Sequence, residues 1–199
     1  MEVVGFAVAG GRSRRMGRDK AELAWAGADL LDHALARLRA ACRDVRILSG
    51  PERRYADRGV PVIVDPVLGV GSLAAVLAGL EAAGVPGLFL GVDLPFVPVP
   101  LLAHLVSLAG AADVVVPVSP GGPEPLCAVY GPACLPPIRR CLARARLKMT
   151  AFWPDVRVRE VGPEELVAFG DPSRVFRNLN TPADYAAARA EGPPGTVGP

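Results

Sequence analysis

The sequence predicts an α/β protein: a single domain built as a three-layer α/β/α sandwich on a mostly parallel sheet. Three observations predict it. Short apolar runs alternate with amphipathic stretches of helical spacing through most of the chain, the pattern of a parallel sheet covered by helices on both faces. Glycine or a polar residue follows directly after each of the first four apolar runs. The chain has 199 residues, about the length of one domain, and neither a repeat nor a long linker divides it.

Taken in order, "EVVGFAV" is a buried strand and "LLDHALARLRAAC" repeats apolar residues at helical spacing. "DVRILS" is a strand and "ERRYADRG" a short polar helix. "VPVIVD" is a strand, and "SLAAVLAGLEAAG" a helix ended by Gly84. "GLFLGVD", "PLLAHLVSLAG" and "DVVVPVS" continue as strand, helix and strand. The pattern then loosens. "GGPEPLCAVYG" is a turn and a strand, and "CLPPIRRCLARA" a helix entered through prolines. "VRVREV" is a short strand, "PEELVAFG" a short helix and "PADYAAARAE" the closing helix. The domain is expected to span 1–190, with 191–199 a disordered Pro/Gly tail.

Composition narrows the function. With 51% hydrophobic residues there is ample core, yet no apolar run approaches the roughly 20 residues of a membrane span. Val3–Val8 is too short for a signal peptide's apolar segment, so a cytoplasmic location is expected. A net charge of +2 argues against bulk nucleic-acid binding. The cysteines Cys42, Cys127, Cys134 and Cys141 form no C-x-x-C pair and are expected to be free, mostly buried thiols. The chain has no Gln, and its two Asn, Asn178 and Asn180, share one short stretch. Of 22 Lys and Arg only Lys20 and Lys148 are lysines. Such exceptions mark positions where no other residue serves.

Ligands of open α/β sheets bind at the carboxyl ends of the strands. After the first strand comes "AGGRSRRMGRDK". Gly10 and Gly11 allow close approach of a phosphate to backbone N–H groups, and Arg12, Arg14, Arg15 and Lys20 carry the charge to hold a triphosphate. The stretch is neither a P-loop nor a dinucleotide fingerprint, and a basic surface loop with turn glycines would read the same. Ser49-Gly50 follows the second strand, Asp65 the third and Asp93 the fourth. A magnesium site needs one or two carboxylates, the rest being water and substrate phosphate; Asp93 is the favoured ligand. Asp65 is equally a turn aspartate before proline. In "FRNLNTPADY", Thr181 and Pro182 suit the start of the last helix. Asn178 and Asn180 alternate, and so share one side of an extended segment.

Together "VAGGRSRRMGRDKAEL", "VDP…GVGSLAA", "GVDLPF", "EPLCAVY" and "RNLNTPADY" closely resemble the molybdenum cofactor guanylyltransferases, from Val3 to about Tyr185. The resemblance implies a Rossmann-like fold of nucleotidyltransferase type. It implies transfer of GMP from GTP to the terminal phosphate of molybdenum-bearing molybdopterin, with release of pyrophosphate. Delivery of the pterin and molybdoenzyme maturation would involve partner proteins. Matched to the family, backbone at Val8, Ala9 and Gly10, with Gly11, Lys20, Asp65 and Asp93, contacts GTP. Asp93 also binds Mg²⁺, the cofactor, and Arg15 and Lys20 act in catalysis beside it. Gly17 falls at the active site. Lys148, Asn178 and Asn180 fall on the pterin side. The family often has an asparagine after the second strand; Ser49, or a backbone group, would stand in. The sister cytidylyltransferases tend to read Ala-Gly where this chain has Gly10-Gly11, so the missing methyl is consistent with room for a purine.

The reaction asks one anion to approach another, so catalysis reduces to positioning and charge neutralisation. A compact lysine at position 20 suits a cramped site better than a wide arginine fork. CTP in place of GTP, a sugar-1-phosphate substrate, or a non-catalytic nucleotide sensor are the competing readings.

Overall fold

The architecture is that of a computed structural model, which describes residues 1–10, 19–64 and 71–191. Gly11, Arg12, Arg14, Arg15, Gly17 and Asp65, and the tail from 192, lie outside the described residues. In chain order the elements are β1 (Val4–Val8), β2 (Ala24–Trp25), β3 (Ala28–Asp29), α1 (Leu30–Ala41), β4 (Asp44–Leu48) and β5 (Val62–Ile63). Next come α2 (Ser72–Ala83), β6 (Gly87–Gly91), α3 (Val99–Ser107), β7 (Val114–Ser119), β8 (Gly122–Pro123) and β9 (Cys127–Tyr130). α4 (Leu135–Ala143), β10 (Val158–Val161), α5 (Pro163–Leu166), α6 (Pro172–Val175) and α7 (Pro182–Glu191) complete the chain.

The main sheet runs β10-β7-β9-β6-β1-β4-β5, with β8 paired to β7. β1 pairs in parallel with both β4 and β6, and β4–β5 and β10–β7 are parallel too. β9 is antiparallel to both β6 and β7. The expected mostly parallel three-layer sandwich is therefore present, with one reversed strand inside it. Every residue of β1 is buried, because both faces are covered. Val4, Phe6 and Val8 face one apolar layer with Leu73, Val76 and Leu80 of α2 and Ile138 of α4. Ala7 and Ala9 face the other, with Leu31, Leu35 and Leu38 of α1 and Leu101 and Leu105 of α3. Each such leucine removed from water contributes about 1.5–3 kcal/mol. The Phe6 and Phe89 rings stack at 4.8 Å across β1 and β6.

Three local features depart from the sequence reading. "ERRYADRG" is no helix beyond one 3-10 turn, Ala56–Arg58, bounded by Tyr55 and Gly59 in left-handed conformations. Arg58 instead reaches back to Asp29 and Asp32 at 2.8 Å each, holding this turn against the start of α1. A small hairpin, β2–β3, precedes α1 around Ala26 and Gly27, both with positive φ, as a two-residue hairpin turn requires. α6 follows a cap in which Asp171 accepts from Ser173 N at 3.0 Å. The closing helix runs as its periodicity predicts, with Glu191 ending α7 and pairing with Arg177.

Candidate functional site

The carboxyl ends of β1, β4 and β6 lie side by side, since Ala9 N donates to Leu48 O at 2.9 Å and Val92 N to Val8 O at 3.3 Å. β1 is the strand from which the sheet grows in both directions, the place where open α/β sheets bind ligands. Three of the residues singled out in the sequence meet there. Lys20 Nζ donates to Asp93 Oδ2 at 3.2 Å and to Asn180 Oδ1 at 3.1 Å, across sequence separations of 73 and 160 residues. The Lys20 and Asp93 side chains are 16% and 22% exposed, so the pair is sheltered yet open to a ligand.

Each member is delivered by a different local device. Lys20 begins a single 3-10 turn, Lys20–Glu22, capped by Asp19, whose carboxylate accepts from Ala21 N at 3.1 Å. Asp93 sits in the turn after β6, closed by Leu94 N donating to Gly91 O. Arg37 of α1 holds that turn from below, donating to the carbonyls of Leu94 at 2.7 Å and Val97 at 3.1 Å. Burial pulls the Arg37 guanidinium down to about 10, still a cation at neutral pH. Asn180 is placed by Leu179, fully buried between the hairpin's Trp25, Phe96 and Ala188 of α7. Leu179 N donates to Asp93 O at 3.0 Å, so the asparagine segment is bonded to the Asp93 turn itself. Thr181 then caps α7 reciprocally: its hydroxyl accepts from Asp184 N, and the Asp184 carboxylate accepts from Thr181 N and Asn180 N.

The other expected residues are placed as follows. Val8 and Ala9 end β1, where Val8 O accepts from Val92 N and Ala9 N donates to Leu48 O. Asn178 does not join Lys20; its amide turns back to Phe176 O at 3.4 Å. Lys148 is exposed in the turn after α4, and among the described residues no hydrogen bond or ion pair links it to Lys20 or Asp93. Ser49 does not present a hydroxyl to a nucleotide: it is fully buried and donates to Glu52 O at 2.6 Å. Gly10 has a different explanation from room for a purine. A Cβ there would stand 2.6 Å from Gly50 N and 2.8 Å from Gly50 Cα. The β1 and β4 ends touch backbone to backbone, so the missing methyl is required before any base arrives.

Two groups went unnoticed in the sequence. Glu124 lies in the turn that leads into β9, closed by Cys127 N donating to Glu124 O at 2.9 Å, near enough to Asp93 to feel its charge. Burial, and secondarily the Asp93 charge, push its carboxyl up, although Ser119 donates to it at 2.7 Å. Arg54 and Tyr55 converge on Asp19. Neither group follows a strand end, so the edge rule could not find them. All four cysteines are free and buried, and burial pushes Cys42 up to about 11 and Cys134 to about 12. They are poor nucleophiles and core residues.

A divalent cation fits the donor set in one way. Among the described residues no three His, Cys, Asp or Glu group together to cage a metal. Asp93 offers hard carboxylate oxygens at the sheet edge, which suits a cation that draws its remaining ligands from water and phosphate.

Comparison with known proteins gives the chain a family. The MobA-like NTP transferase domain family matches residues 5–154. A Chloroflexus aggregans protein named "probable molybdenum cofactor guanylyltransferase" is 33% identical, covering 96% of this chain and 95% of that one. The molybdenum cofactor guanylyltransferase of Desulfosudis oleivorans is also 33% identical, over 94% and 95% of the two chains. Among solved structures, molybdopterin-guanine dinucleotide biosynthesis protein A of Archaeoglobus fulgidus superposes with a TM-score of 0.81 at 25% identity, covering 95% of this chain and 98% of that one. A family that matches three-quarters of the chain, and relatives alike almost end to end, leave one conclusion: this chain belongs to the MobA-like nucleotidyltransferases, among the molybdenum cofactor guanylyltransferases.

Proposed function

We propose that this protein transfers GMP from GTP to the terminal phosphate of molybdopterin carrying molybdenum, giving molybdopterin guanine dinucleotide and pyrophosphate. The observation that carries the reading is the meeting of Lys20, Asp93 and Asn180 at the carboxyl edge, in a chain whose relatives bear that activity in their names. An oxygen of the pterin phosphate attacks the α-phosphorus of GTP. The bond to the bridging α–β oxygen breaks, and pyrophosphate leaves with the electron pair. The nucleophile belongs to the substrate, which agrees with four thiols that are all buried.

The protein's task is to hold two anions in line. Lys20 supplies a compact positive charge to the triphosphate and the departing pyrophosphate, with Arg15 assisting. Asn180 orients Lys20 through its amide oxygen. Backbone at Val8 to Gly11, with Asp65, receives the nucleotide, and Asn178, Asn180 and Lys148 serve the pterin side. Asp93 would hold Mg²⁺, which when bound neutralises phosphate charge. No described helix is long and apolar enough to cross a membrane. The reading places the enzyme in the cytoplasm, receiving pterin from a delivering protein and passing product to molybdoenzyme maturation.

The test is pyrophosphate release with each of the four NTPs, with and without molybdopterin and with and without Mg²⁺. Release should require GTP, molybdopterin and Mg²⁺ together. Preference for CTP, or release indifferent to molybdopterin, overturns the reading.

A further inference from the structure

We propose that Arg54 and Tyr55 are positioning residues for Lys20, acting by clamping Asp19, the carboxylate that caps the turn from which Lys20 projects. The inference rests on the reading of Lys20 as the triphosphate-binding cation. Asp19 is the hub. Its Oδ1 accepts from Ala21 N at 3.1 Å, which forms the Lys20 turn. Its Oδ2 accepts from Arg54 Nη1 at 2.5 Å and from the Tyr55 hydroxyl at 2.6 Å. Both interactions are sheltered from water: the Asp19 side chain is 19% exposed and Tyr55 is buried.

The same guanidinium reaches two further segments. Arg54 Nη2 donates to Ser49 O at 3.1 Å and to Ala9 O at 3.4 Å. One planar fork therefore joins the end of β1, the end of β4 and the turn bearing Lys20. Arginine spreads several donors over a rigid planar fork to do so, where a lysine has a single ammonium centre. Tyr55 shows that the arrangement is imposed by its surroundings. It is not glycine, yet its backbone is left-handed, φ 63 and ψ 28, an uncommon state for such a residue. That conformation carries its hydroxyl to Asp19, while Arg54 lies over the ring at 5.1 Å. Burial and the bond to Asp19 push the phenol up, so it remains a donor throughout the working range.

The consequence is precision. A lysine has a flexible four-carbon stem, and Asp93 and Asn180, its partners among the described residues, belong to segments far away in sequence. Anchoring its own backbone to the ends of β1 and β4 ties the cation to the strands that receive the nucleotide. Misplacement of a reacting group by about 1 Å can cost on the order of a hundredfold in rate.

The chain's two lysines make the test direct. Reductive ¹³C-methylation labels Lys20 and Lys148 along with the N-terminus, and Lys148→Arg assigns the signals by NMR. In the parent protein the Lys20 resonance should stand apart from that of exposed Lys148. In Arg54→Met it should move to the Lys148 position, and in Tyr55→Phe part of the way. A Lys20 resonance unmoved in folded Arg54→Met overturns the proposal. In turnover, Arg54→Met should lower kcat/KM for GTP about tenfold, with less than about a twofold further loss when added to Lys20→Ala, because the two act through one group. Equal proportional losses in both backgrounds mean that Arg54 acts elsewhere, and refute it. Should Arg54→Met fail to fold, Tyr55→Phe removes one hydroxyl and gives both readouts. Should the parent protein release no pyrophosphate from GTP, the proposed function fails, while the Lys20 resonance still decides the positioning.

Discussion

A single methyl group added at Gly10 separates two explanations of the glycine pair. In Gly10→Ala the new Cβ falls 2.6 Å from Gly50 N and 2.8 Å from Gly50 Cα, where ordinary contact begins near 3.4 Å. The strand ends must part by about 0.6–0.8 Å to admit it. Both sides resist. Ala9 N is bonded to Leu48 O at 2.9 Å, and Arg54 bridges Ala9 O and Ser49 O. Gly50 itself has φ +76, so its path cannot easily be redrawn. Neither neighbour is a side-chain tip that could swing away. Overpacking of this kind costs about 1–3 kcal/mol, and each kcal/mol lowers Tm by about 2–4 °C in a domain of this size. Calorimetry of Gly10→Ala should therefore show a drop of about 2–12 °C, with a raised KM for GTP. An unchanged Tm refutes the backbone-contact account. If CTP turnover also rises at that unchanged Tm, the glycine serves base choice instead.

Further outcomes follow from the same geometry. Asp93→Ala should abolish Mg²⁺-dependent pyrophosphate release while circular dichroism shows the fold intact; normal turnover would remove its metal role. Lys20→Arg keeps the charge but not the shape, and should reduce kcat/KM on the order of tenfold, about 1.4 kcal/mol; an unimpaired enzyme would contradict the steric argument. Thr181→Ala removes the hydroxyl that accepts from Asp184 N and should cost about 1 kcal/mol by urea unfolding, together with activity lost through Asn180. Glu124 has its carboxyl raised above the ordinary 4.5 by burial, so the folded state holds its proton more tightly than the unfolded chain does. Ionised, it opposes folding. Glu124→Gln should raise Tm near neutral pH, with the gain shrinking as pH falls toward 4.5; a gain that grows at low pH would reverse the sign.

Much of the fold was legible because it depends on local pattern. Unbroken apolar runs such as Val3–Val8 bury both faces, and helix-spaced leucines such as Leu31, Leu35 and Leu38 cover them. Where the reading failed, a distant partner had taken over. The "ERRYADRG" stretch has a helix-like polar composition. Yet Tyr55 is drawn to Asp19 and Arg58 to Asp29 and Asp32, and these contacts outweigh weak propensity. The reversed β9 was equally hidden, since a short apolar run carries no mark of its direction.

The sequence by itself carried the motifs of the family, the layer architecture and the edge at which the candidate residues cluster, because motifs, apolar period and strand-end residues are local properties. It also marked Lys20 and Asn180 by their rarity. The tertiary structure decided which marked residues meet. It placed Asn180 with Lys20 and turned Asn178 away, because Leu179 between them is buried under α7. It withdrew Ser49 into the Glu52 turn and brought Glu124 within reach of the Asp93 charge. It alone revealed Arg54, whose three bonds join segments that only the closed sheet makes neighbours. Contacts among residues many positions apart depend on register and packing direction, and neither is written in any one stretch of chain.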